Sequence, residues 1–447
     1  MATAKMAPES LFTLRSRLAE SRRETDGLFA LLCADALHER PIPERHRLIF
    51  YLGHVEAFDW NLLGGAFQLP SFHPEFDKLF AFGIDPVDGK LPNEPATAWP
   101  KPAEIRKYNS LVREKTDAAL GAPRGNLPES VTDGTLLNVA IEHRLMHAET
   151  LSYLFHQLPY EKKKAANEQE RRAPKSSAYA GGPALPRMCS IPEGEATLGI
   201  RGGSGDGFGW DNEFEEHRVR VPDFSIRKFP VTNGEFLEFV RTGGYEEESL
   251  WSAEDWEWKG AAGISHPLFW SKNGEGWQYR GMFAQFPLPL DWPVYVSHAE
   301  ASAFARWAKQ SLPSESQWHR AAYGAPGSSE REFPWGNEAP SAELGNFDFH
   351  HWDAMPVGAH PRGESAFGVH DLLGNGWEWT ATPFAAFPGF EPLPFYPSYS
   401  ANFFDGKHFV MKGGSPRTAA CMLRRSFRNW FQPHYPYVYA KFRTVEA

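Results

Sequence analysis

The chain has 447 residues, of which 42% are hydrophobic and 23% charged, a composition that excludes wholesale disorder. Its 46 basic and 56 acidic residues give a formal net charge of −10, which argues against a general nucleic-acid binder because phosphate neutralisation needs clustered lysines and arginines. The sequence has no apolar run as long as a membrane span, residues 1–15 lack the apolar segment of a signal peptide, and the three cysteines lie far apart. We therefore expect a cytoplasmic protein without membrane or nucleic-acid partners.

The first 160 residues have the pattern of a helical bundle. Apolar residues recur at helical spacing in four stretches, at 10–36, 44–63, 102–119 and 132–158. Four long helices joined by long connections are typical of a four-helix bundle. The fourth stretch has the clearest periodicity, and Thr132 or Asp133 is its predicted N-cap.

The pattern changes after residue 160. Residues 161–186 are first charged and then rich in Ala, Gly, Ser and Pro, which is typical of a linker. From residue 187 onward, short β-type runs alternate with Gly, Pro and Asn, and helical spacing is restricted to 233–242, 297–310 and 315–323. The sequence predicts an α+β protein of two domains, with a helical bundle at 1–160, a linker at 161–186 and an irregular domain at 187–447.

Two histidines of the fourth predicted helix are candidate metal ligands. His143 and His147 are four residues apart, so both imidazoles lie on one helix face. A mononuclear site needs a third ligand, and His54 of the second predicted helix lies in an apolar stretch where a histidine needs a partner. Three neutral imidazoles suit zinc, iron, nickel or copper. Glu149 lies on a different face and is a candidate for orienting a ligand. The alternative is that the histidine pair belongs to an ordinary helix surface.

Six short segments of the C-terminal half carry a family resemblance. The segments are FGWDNE at 208–213, FPVTNGEF at 229–236, LPSESQW at 312–318, GNGWEWT at 374–380, KGGS at 412–415 and SFRNW at 426–430. In this order they resemble the formylglycine-generating-enzyme/sulfatase-modifying domain. The resemblance covers about residues 187–447 and implies a C-type-lectin-like fold.

The N-terminal half resembles a DinB-like bundle through its pattern His…His-x-x-x-His-x-Glu. Together, the two halves resemble the ergothioneine synthase family of non-haem iron sulfoxide synthases over nearly the whole chain. The resemblance implies that His54, His143 and His147 bind Fe(II) and that O2 is a co-substrate. It also implies an oxidoreductase that joins a sulfur donor to the imidazole C2 of hercynine, the Nα-trimethylated histidine. Selenoneine synthases are relatives with the same two-domain plan.

The segment around residue 429 both matches and departs from the family pattern. Arg428, Asn429 and Trp430 match the Arg-Asn-Trp motif, which implies substrate contacts. Members that use γ-glutamylcysteine have an Asp next and an Arg four residues later, where this chain has Phe431 and Tyr435. Charges left unpaired in a buried site cost on the order of several kcal/mol. We therefore do not expect γ-glutamylcysteine to be the donor.

The remaining donors within the family are a selenosugar and free cysteine. A pocket lined by Phe431, Tyr435 and Tyr437 lacks charge complementarity for a carboxylate, whereas aromatic rings suit stacking against a sugar. We therefore predict a selenosugar donor and carbon–selenium bond formation in selenoneine biosynthesis. The alternative is free cysteine, which gives hercynylcysteine sulfoxide in ergothioneine biosynthesis.

Two more departures concern the substrate and the proton donor. Met146 stands where some family members have a Gln that contacts hercynine. The proton-donating tyrosine expected soon after GWEWT is missing from its usual place. The candidates for this role are Tyr396, Tyr399 and Tyr435.

Three other functions are compatible with parts of the sequence. Formylglycine generation needs paired cysteines near the C-terminal end, where this chain has only Cys421. A zinc-dependent thiol transferase is consistent with the bundle and differs in its metal and in its independence of O2. A lectin-like binding module is a third possibility. In that fold Asn375 and Glu378 would hold a structural Ca2+, with a packed turn as the alternative reading.

Overall fold

The computed structural model describes residues 9–81, 99–165, 188–202, 207–274, 276–327 and 329–446. These residues form two compact units. The first unit is helical and the second combines short helices with small sheets, as the α+β prediction requires. Most of the predicted linker lies outside the described residues. In the described part of the chain, no helix has both the length and the apolar character that crossing a bilayer requires.

The first unit contains the four predicted long helices and two short ones. They are α1 (Leu11–Ala30), α2 (Leu48–Asp59), α3 (Pro74–Leu79), α4 (Pro102–Leu120), α5 (Glu129–Thr132) and α6 (Thr135–Gln157). Helix α6 packs against α1 and α2, and α2 also packs against α4. Leu14 and Leu18 of α1 share an apolar core with Leu137 and Ile141 of α6. The predicted helical bundle is confirmed.

Two of the long helices are shorter than predicted. Helix α1 ends at Ala30 instead of residue 36, because the chain turns there and Leu32 forms an antiparallel bridge with Lys163. Helix α2 begins at Leu48 instead of residue 44 and continues into a π-helical turn at Trp60–Gly64.

The start of α6 also differs from the prediction. The N-cap is Gly134, whose φ of +84° lies in the left-handed region that favours glycine. Thr132 ends the short helix α5 instead of capping α6. Asp133 contributes without being the N-cap, since its Oδ1 accepts a hydrogen bond of 2.8 Å from the backbone nitrogen of Thr135.

The second unit is built around small sheets. Its strands are β1 (Met188–Ile191), β2 (Gly194–Leu198), β3 (His217–Val221), β4 (Phe224–Arg227), β5 (Trp270–Asn273), β6 (Gly276–Arg280), β7 (Gln285–Pro287), β8 (Gly376–Pro383), β9 (Phe409–Gly414), β10 (Asn429–Phe431), β11 (Ala440–Lys441) and β12 (Val445–Glu446). The largest sheet has the order β10-β9-β8-β11, in which β11 is parallel to β8 and the other pairs are antiparallel. The order β1-β4-β12 places the last strand in the sheet of the first strand, with β4 between them.

The helices of the second unit are α7 (Asn233–Arg241), α8 (Ala253–Ala261), α9 (His298–Trp307) and α10 (Glu315–Tyr323). Three of them lie where helical spacing predicts them. Helix α8 was not predicted, because its tryptophans at 256 and 258 are two residues apart and obscure the helical period. Its start is fixed by Ser252, whose Oγ accepts a hydrogen bond of 3.1 Å from the Asp255 nitrogen.

Candidate functional site

Three histidines of the helical unit converge on one point. The Nε2 atom of His147 lies 3.1 Å from Nε2 of His54 and 3.1 Å from Nε2 of His143. All three ligand atoms lie within 4.8 Å of one another. Two nitrogens bound at right angles to one first-row metal ion, each about 2.1 Å from it, are about 3 Å apart. The structure thus brings together the residues predicted to bind metal, with a spacing that fits a single ion.

Burial keeps these imidazoles neutral. All three side chains are at most 4% exposed. Burial lowers the pKa of His54 to about 4. Burial and then the neighbouring imidazoles lower the pKa of His143 and His147 well below the ordinary value. Since a metal binds the neutral imidazole, the three lone pairs are available without the loss of a proton.

The orientation of two ligand rings is fixed by their neighbours. His54 Nδ1 donates a hydrogen bond of 2.7 Å to the carbonyl of Phe80, so its lone pair is on Nε2, toward the other histidines. The ring of Phe50 stacks on His54 with centroids 4.8 Å apart. Phe58 stacks on His143 with centroids 3.4 Å apart and planes 10° apart.

A buried charge cluster lies directly beside the ligands. Arg144, next to His143, is fully buried and forms two 3.0 Å hydrogen bonds with Glu56, two residues after His54. The same guanidinium donates to Asp59 Oδ2 at 2.6 Å. Burial raises the pKa of Glu56, but the guanidiniums of Arg144 and Arg113 outweigh this effect and lower the pKa to about 2. The cluster therefore joins α2 and α6 at the point where each carries a metal-ligand candidate.

Sequence reasoning missed this cluster and the Phe80 carbonyl. Glu56, Asp59 and Arg144 read as ordinary polar positions of amphipathic helices. A usable signal was present, because Arg144 lies in a stretch whose neighbours predict a buried helix, and a buried arginine requires acidic partners. The backbone acceptor at Phe80 has no sequence signature.

Glu149 and Met146 both lie on α6. Glu149 is buried, at 9% exposure, two residues after His147. Met146 is half-buried and directly precedes His147. Their predicted roles, ligand orientation for Glu149 and a hercynine contact for Met146, stay predictions.

In the second unit, Asn429 and Trp430 form the short strand β10 beside β9. Asn429 Oδ1 accepts a hydrogen bond of 2.8 Å from the Trp430 nitrogen, and both side chains are half-buried. The indole of Trp430 stacks on Phe384 with centroids 4.2 Å apart, and it also contacts Tyr399 edge to face and the tilted ring of Phe403.

The placement of Arg428 argues against its predicted role as a substrate contact. Its side chain is 2% exposed and forms an ion pair of 3.0 Å with Glu315. Nη1 also donates to the carbonyls of Asn212 and Ala385. Since these bonds occupy the guanidinium within the fold, Arg428 supports the strand that carries Asn429 from inside.

Phe431, Tyr435 and Tyr437 form a continuous aromatic wall. The rings of Phe431 and Tyr435 stack with centroids 5.1 Å apart and planes 10° apart. Tyr437 contacts Tyr435 edge to face, also at 5.1 Å. Phe431 and Tyr435, the two positions at which the resemblance predicts charges in members that use γ-glutamylcysteine, thus face each other as aromatic rings.

The three candidate proton donors fall into two places. Tyr399 stacks on Trp210 at 4.0 Å and approaches Trp430 at 5.5 Å, with Tyr396 beside it at 5.6 Å. Tyr435 is part of the aromatic wall. Tyr399 is therefore the candidate in direct contact with the Arg-Asn-Trp motif.

The proposed calcium ligands have protein partners instead. Glu378 is fully buried and accepts hydrogen bonds from Arg443 and from the Trp318 indole. Asn375 Oδ1 accepts from Asn346 and from the Met355 nitrogen. These contacts favour the packed turn over a calcium site.

Comparisons with known proteins agree with this arrangement of domains. Residues 17–151 match the DinB superfamily and residues 175–447 match the sulfatase-modifying factor enzyme 1-like domain. The chain is 33% identical to a protein named hercynine oxygenase from Mycolicibacterium smegmatis, over 94% of this chain and 95% of that one. It is 32% identical to the hercynine oxygenase of Mycolicibacterium thermoresistibile, over 93% and 87%. It is also 29% identical to ergothioneine biosynthesis protein 1 of Neurospora crassa, over 93% of this chain and 55% of that one.

Both domains and near full-length similarity to the bacterial relatives are thus present in one chain. The chain belongs to the ergothioneine synthase family.

Proposed function

We propose that this protein is an iron- and O2-dependent enzyme that joins a selenium or sulfur donor to the imidazole C2 of hercynine. The observation that carries the proposal is the convergence of three buried, neutral imidazole nitrogens from His54, His143 and His147. Its support from comparison is the similarity to proteins named hercynine oxygenase over nearly their whole length. Three neutral ligands suit iron and leave coordination positions open.

The reaction balances with one O2 per turnover. The C2–H bond of hercynine and the Se–H or S–H bond of the donor break, and a C–Se or C–S bond forms. One oxygen atom ends on the selenium or sulfur, and the other leaves as water with the two hydrogens. O2 takes up four electrons, two from bond formation and two from oxidation of the chalcogen. Bound iron would supply the activation of O2 that this chemistry needs.

We assign hercynine binding to Asn429 and Trp430. The amide nitrogen of Asn429 has no hydrogen-bond partner among the described residues, so it is available to donate to the substrate. The aromatic cluster around Trp430 suits the trimethylammonium group through cation–π attraction. We assign proton donation to Tyr399, because it is the candidate tyrosine in contact with Trp430.

These assignments predict a selective binding defect. Asn429→Ala weakens hercynine affinity by about ten- to a hundredfold, since one hydrogen bond to a charged group contributes about 1.5–3 kcal/mol. Anaerobic calorimetry with the iron-loaded protein measures it, and Gln432→Ala, an exposed neighbour, serves as the control. An unchanged affinity in Asn429→Ala removes this residue from the site. Tyr399→Phe lowers kcat while hercynine affinity stays within twofold.

For the donor, we propose a selenosugar, with free cysteine as the second candidate. The stacked rings of Phe431 and Tyr435 carry no charge that could pair with a γ-glutamyl head. Their flat apolar faces suit a sugar ring, which presents C–H groups to aromatic surfaces. Carbon–selenium bond formation would place the enzyme in selenoneine biosynthesis.

Metal replacement tests the proposed chemistry. The metal-free protein is loaded anaerobically with Fe(II) or Zn(II), mixed with hercynine and a donor, and then exposed to O2. We expect a hercynine adduct, identified by its mass, from the iron-loaded protein under O2 and from no other combination. Adduct formation by the zinc-loaded protein without O2 would show a thiol transferase instead.

A further inference from the structure

A histidine–aspartate pair anchors the aromatic wall to helix α8. His434 directly precedes Tyr435, and its Nε2 donates a hydrogen bond of 2.8 Å to Asp255 Oδ1. Both side chains are largely buried, at 21% and 13% exposure. Burial raises the pKa of Asp255, but the hydrogen bonds from His434 and Ser252 and the nearby imidazoles together outweigh burial and lower the pKa, which keeps the carboxylate ionised. The bond is therefore charge-assisted in a sheltered place.

The same imidazole is also held across its face. The Trp258 indole stacks on His434 with centroids 4.5 Å apart and planes 10° apart. Asp255 and Trp258 are three residues apart on α8, so they lie on one helix face and contact the ring together. The neighbouring residue Pro433 is tied to α9, since its carbonyl accepts a hydrogen bond of 3.2 Å from the Ala299 nitrogen.

These contacts hold the middle of the segment that carries the wall. Phe431 is fixed by strand pairing of β10 with β9. Tyr435 lies beyond that strand, and its position depends on Pro433 and His434 at its N-terminal side. The strand end is thus restrained by the sheet, whereas α8 contacts His434, the residue directly before Tyr435.

We propose that Asp255 and Trp258 are positioning residues that set donor affinity by holding His434, and through it Tyr435, against Phe431. This inference rests on the proposed function, because it takes the wall as the donor site. We call the contacts of Asp255 and Trp258 with His434 the clamp. Asn429 and Trp430 are held by the sheet instead, so loss of the clamp leaves hercynine binding intact. The affinity for the donor therefore depends on the clamp, and the affinity for hercynine does not.

A split between the two KM values tests the clamp. Asp255→Ala, His434→Gln and Trp258→Leu are compared in the iron-loaded protein with hercynine and either cysteine or a selenosugar. We expect the KM of the preferred donor to rise about tenfold in Asp255→Ala, as expected for loss of a charge-assisted hydrogen bond, and hercynine KM to stay within twofold. Asp255→Asn, which still accepts a hydrogen bond, restores most of the donor affinity. Glu257→Gln, exposed on the same helix, is the matched control.

A double variant shows whether the two residues act as one unit. Asp255→Ala combined with His434→Gln raises donor KM no further than the more severe single variant. Equal increases in the KM values of both substrates, or an unchanged donor KM in a folded Asp255→Ala protein, would overturn the clamp. If Asp255→Ala fails to fold, His434→Gln and Trp258→Leu carry the same comparison. A wild-type protein that forms no hercynine adduct with either donor refutes the proposed function itself, and the clamp with it.

Discussion

The guanidinium of Arg144 and the carboxylate of Glu56 form a fully buried, two-pronged ion pair, with both N–O distances at 3.0 Å. Each partner lies within two residues of a metal-ligand candidate, Arg144 beside His143 and Glu56 near His54. The pair therefore joins two helices at the site itself. Removing one partner of this pair destabilises the fold, because the remaining buried charges are left uncompensated.

Removal of the Arg144 charge is strongly destabilising on this account. Arg144→Met leaves Glu56 and Asp59 in a buried site without their shared partner, and the free energy of unfolding falls by about 3–5 kcal/mol. Urea unfolding of the metal-free protein measures the loss. Arg113→Met is the comparison, because Arg113 is 27% exposed and its removal leaves Arg144 paired with Glu56. We expect this variant to lower the free energy of unfolding by about 1 kcal/mol. Similar losses of unfolding free energy in the two variants would show that the buried pair stabilises the fold no more than the exposed one.

We expect each of the three histidines to be required for iron retention. His54→Ala, His143→Ala and His147→Ala each remove one of three ligands, and we expect iron content and turnover to be lost. Metal analysis after anaerobic loading and desalting gives the iron content per chain. His38→Ala, which changes a half-buried histidine of the same unit, retains iron. Iron near one per chain in any of the three variants contradicts the site.

His298 of α9 is expected to lower the stability of the fold at acidic pH. Burial lowers its pKa to about 4, with Phe409 stacked on the ring at 3.8 Å. Below the unfolded pKa of 6.5, the unfolded chain takes up a proton that the folded chain does not. Stability is thus lost as pH falls from 6.5 to 4, by at most about 3 kcal/mol. The difference in urea unfolding free energy between wild type and His298→Gln should shift by that order between pH 7.5 and pH 4. A constant difference would contradict the assignment.

The aromatic wall can be converted into a charged pair. Phe431→Asp/Tyr435→Arg replaces two stacked rings by the pair of charged residues that the resemblance predicts in members that use γ-glutamylcysteine. We expect kcat/KM for γ-glutamylcysteine to rise by at least about tenfold, since both charges of the donor head gain partners. Steady-state kinetics with each donor measures the change. Phe431→Leu/Tyr435→Leu removes the rings without adding charges and gives no such gain. A gain of equal size in both double variants would rule out charge pairing as its cause.

Site residues could be predicted from the sequence where they lie at a regular helical spacing. The pair His143 and His147 follows from helical spacing. His54 was a candidate from its apolar surroundings, but only the family resemblance linked it to the pair, because nothing local shows which helix faces α6. The end of α1 could not be predicted, since it depends on a bridge from Leu32 to a residue 131 positions later, Lys163. Helix α8 was missed for a related reason. Its tryptophans at 256 and 258 obscure the helical period, and Asp255 and Trp258 contact His434, which lies 179 positions after Asp255 in the chain.

Arg428 shows the limit of transferring roles by motif. Its motif matches the family, but its guanidinium bonds to Glu315 and to two backbone carbonyls within the fold. The motif thus identifies the strand, and only the contacts distinguish the supporting residue from Asn429 and Trp430 beside it.

Donor competition tests the central claim most directly. The iron-loaded protein and hercynine are mixed anaerobically with equal concentrations of cysteine, γ-glutamylcysteine and a selenosugar, O2 is admitted, and the products are separated by mass. The proposed function predicts that the selenium adduct predominates and that the γ-glutamylcysteine product is the least abundant. A predominant cysteine sulfoxide would make free cysteine the donor. A γ-glutamylcysteine product equal to the best of the others would contradict the roles of Phe431 and Tyr435, and the absence of any hercynine adduct would contradict the function as a whole.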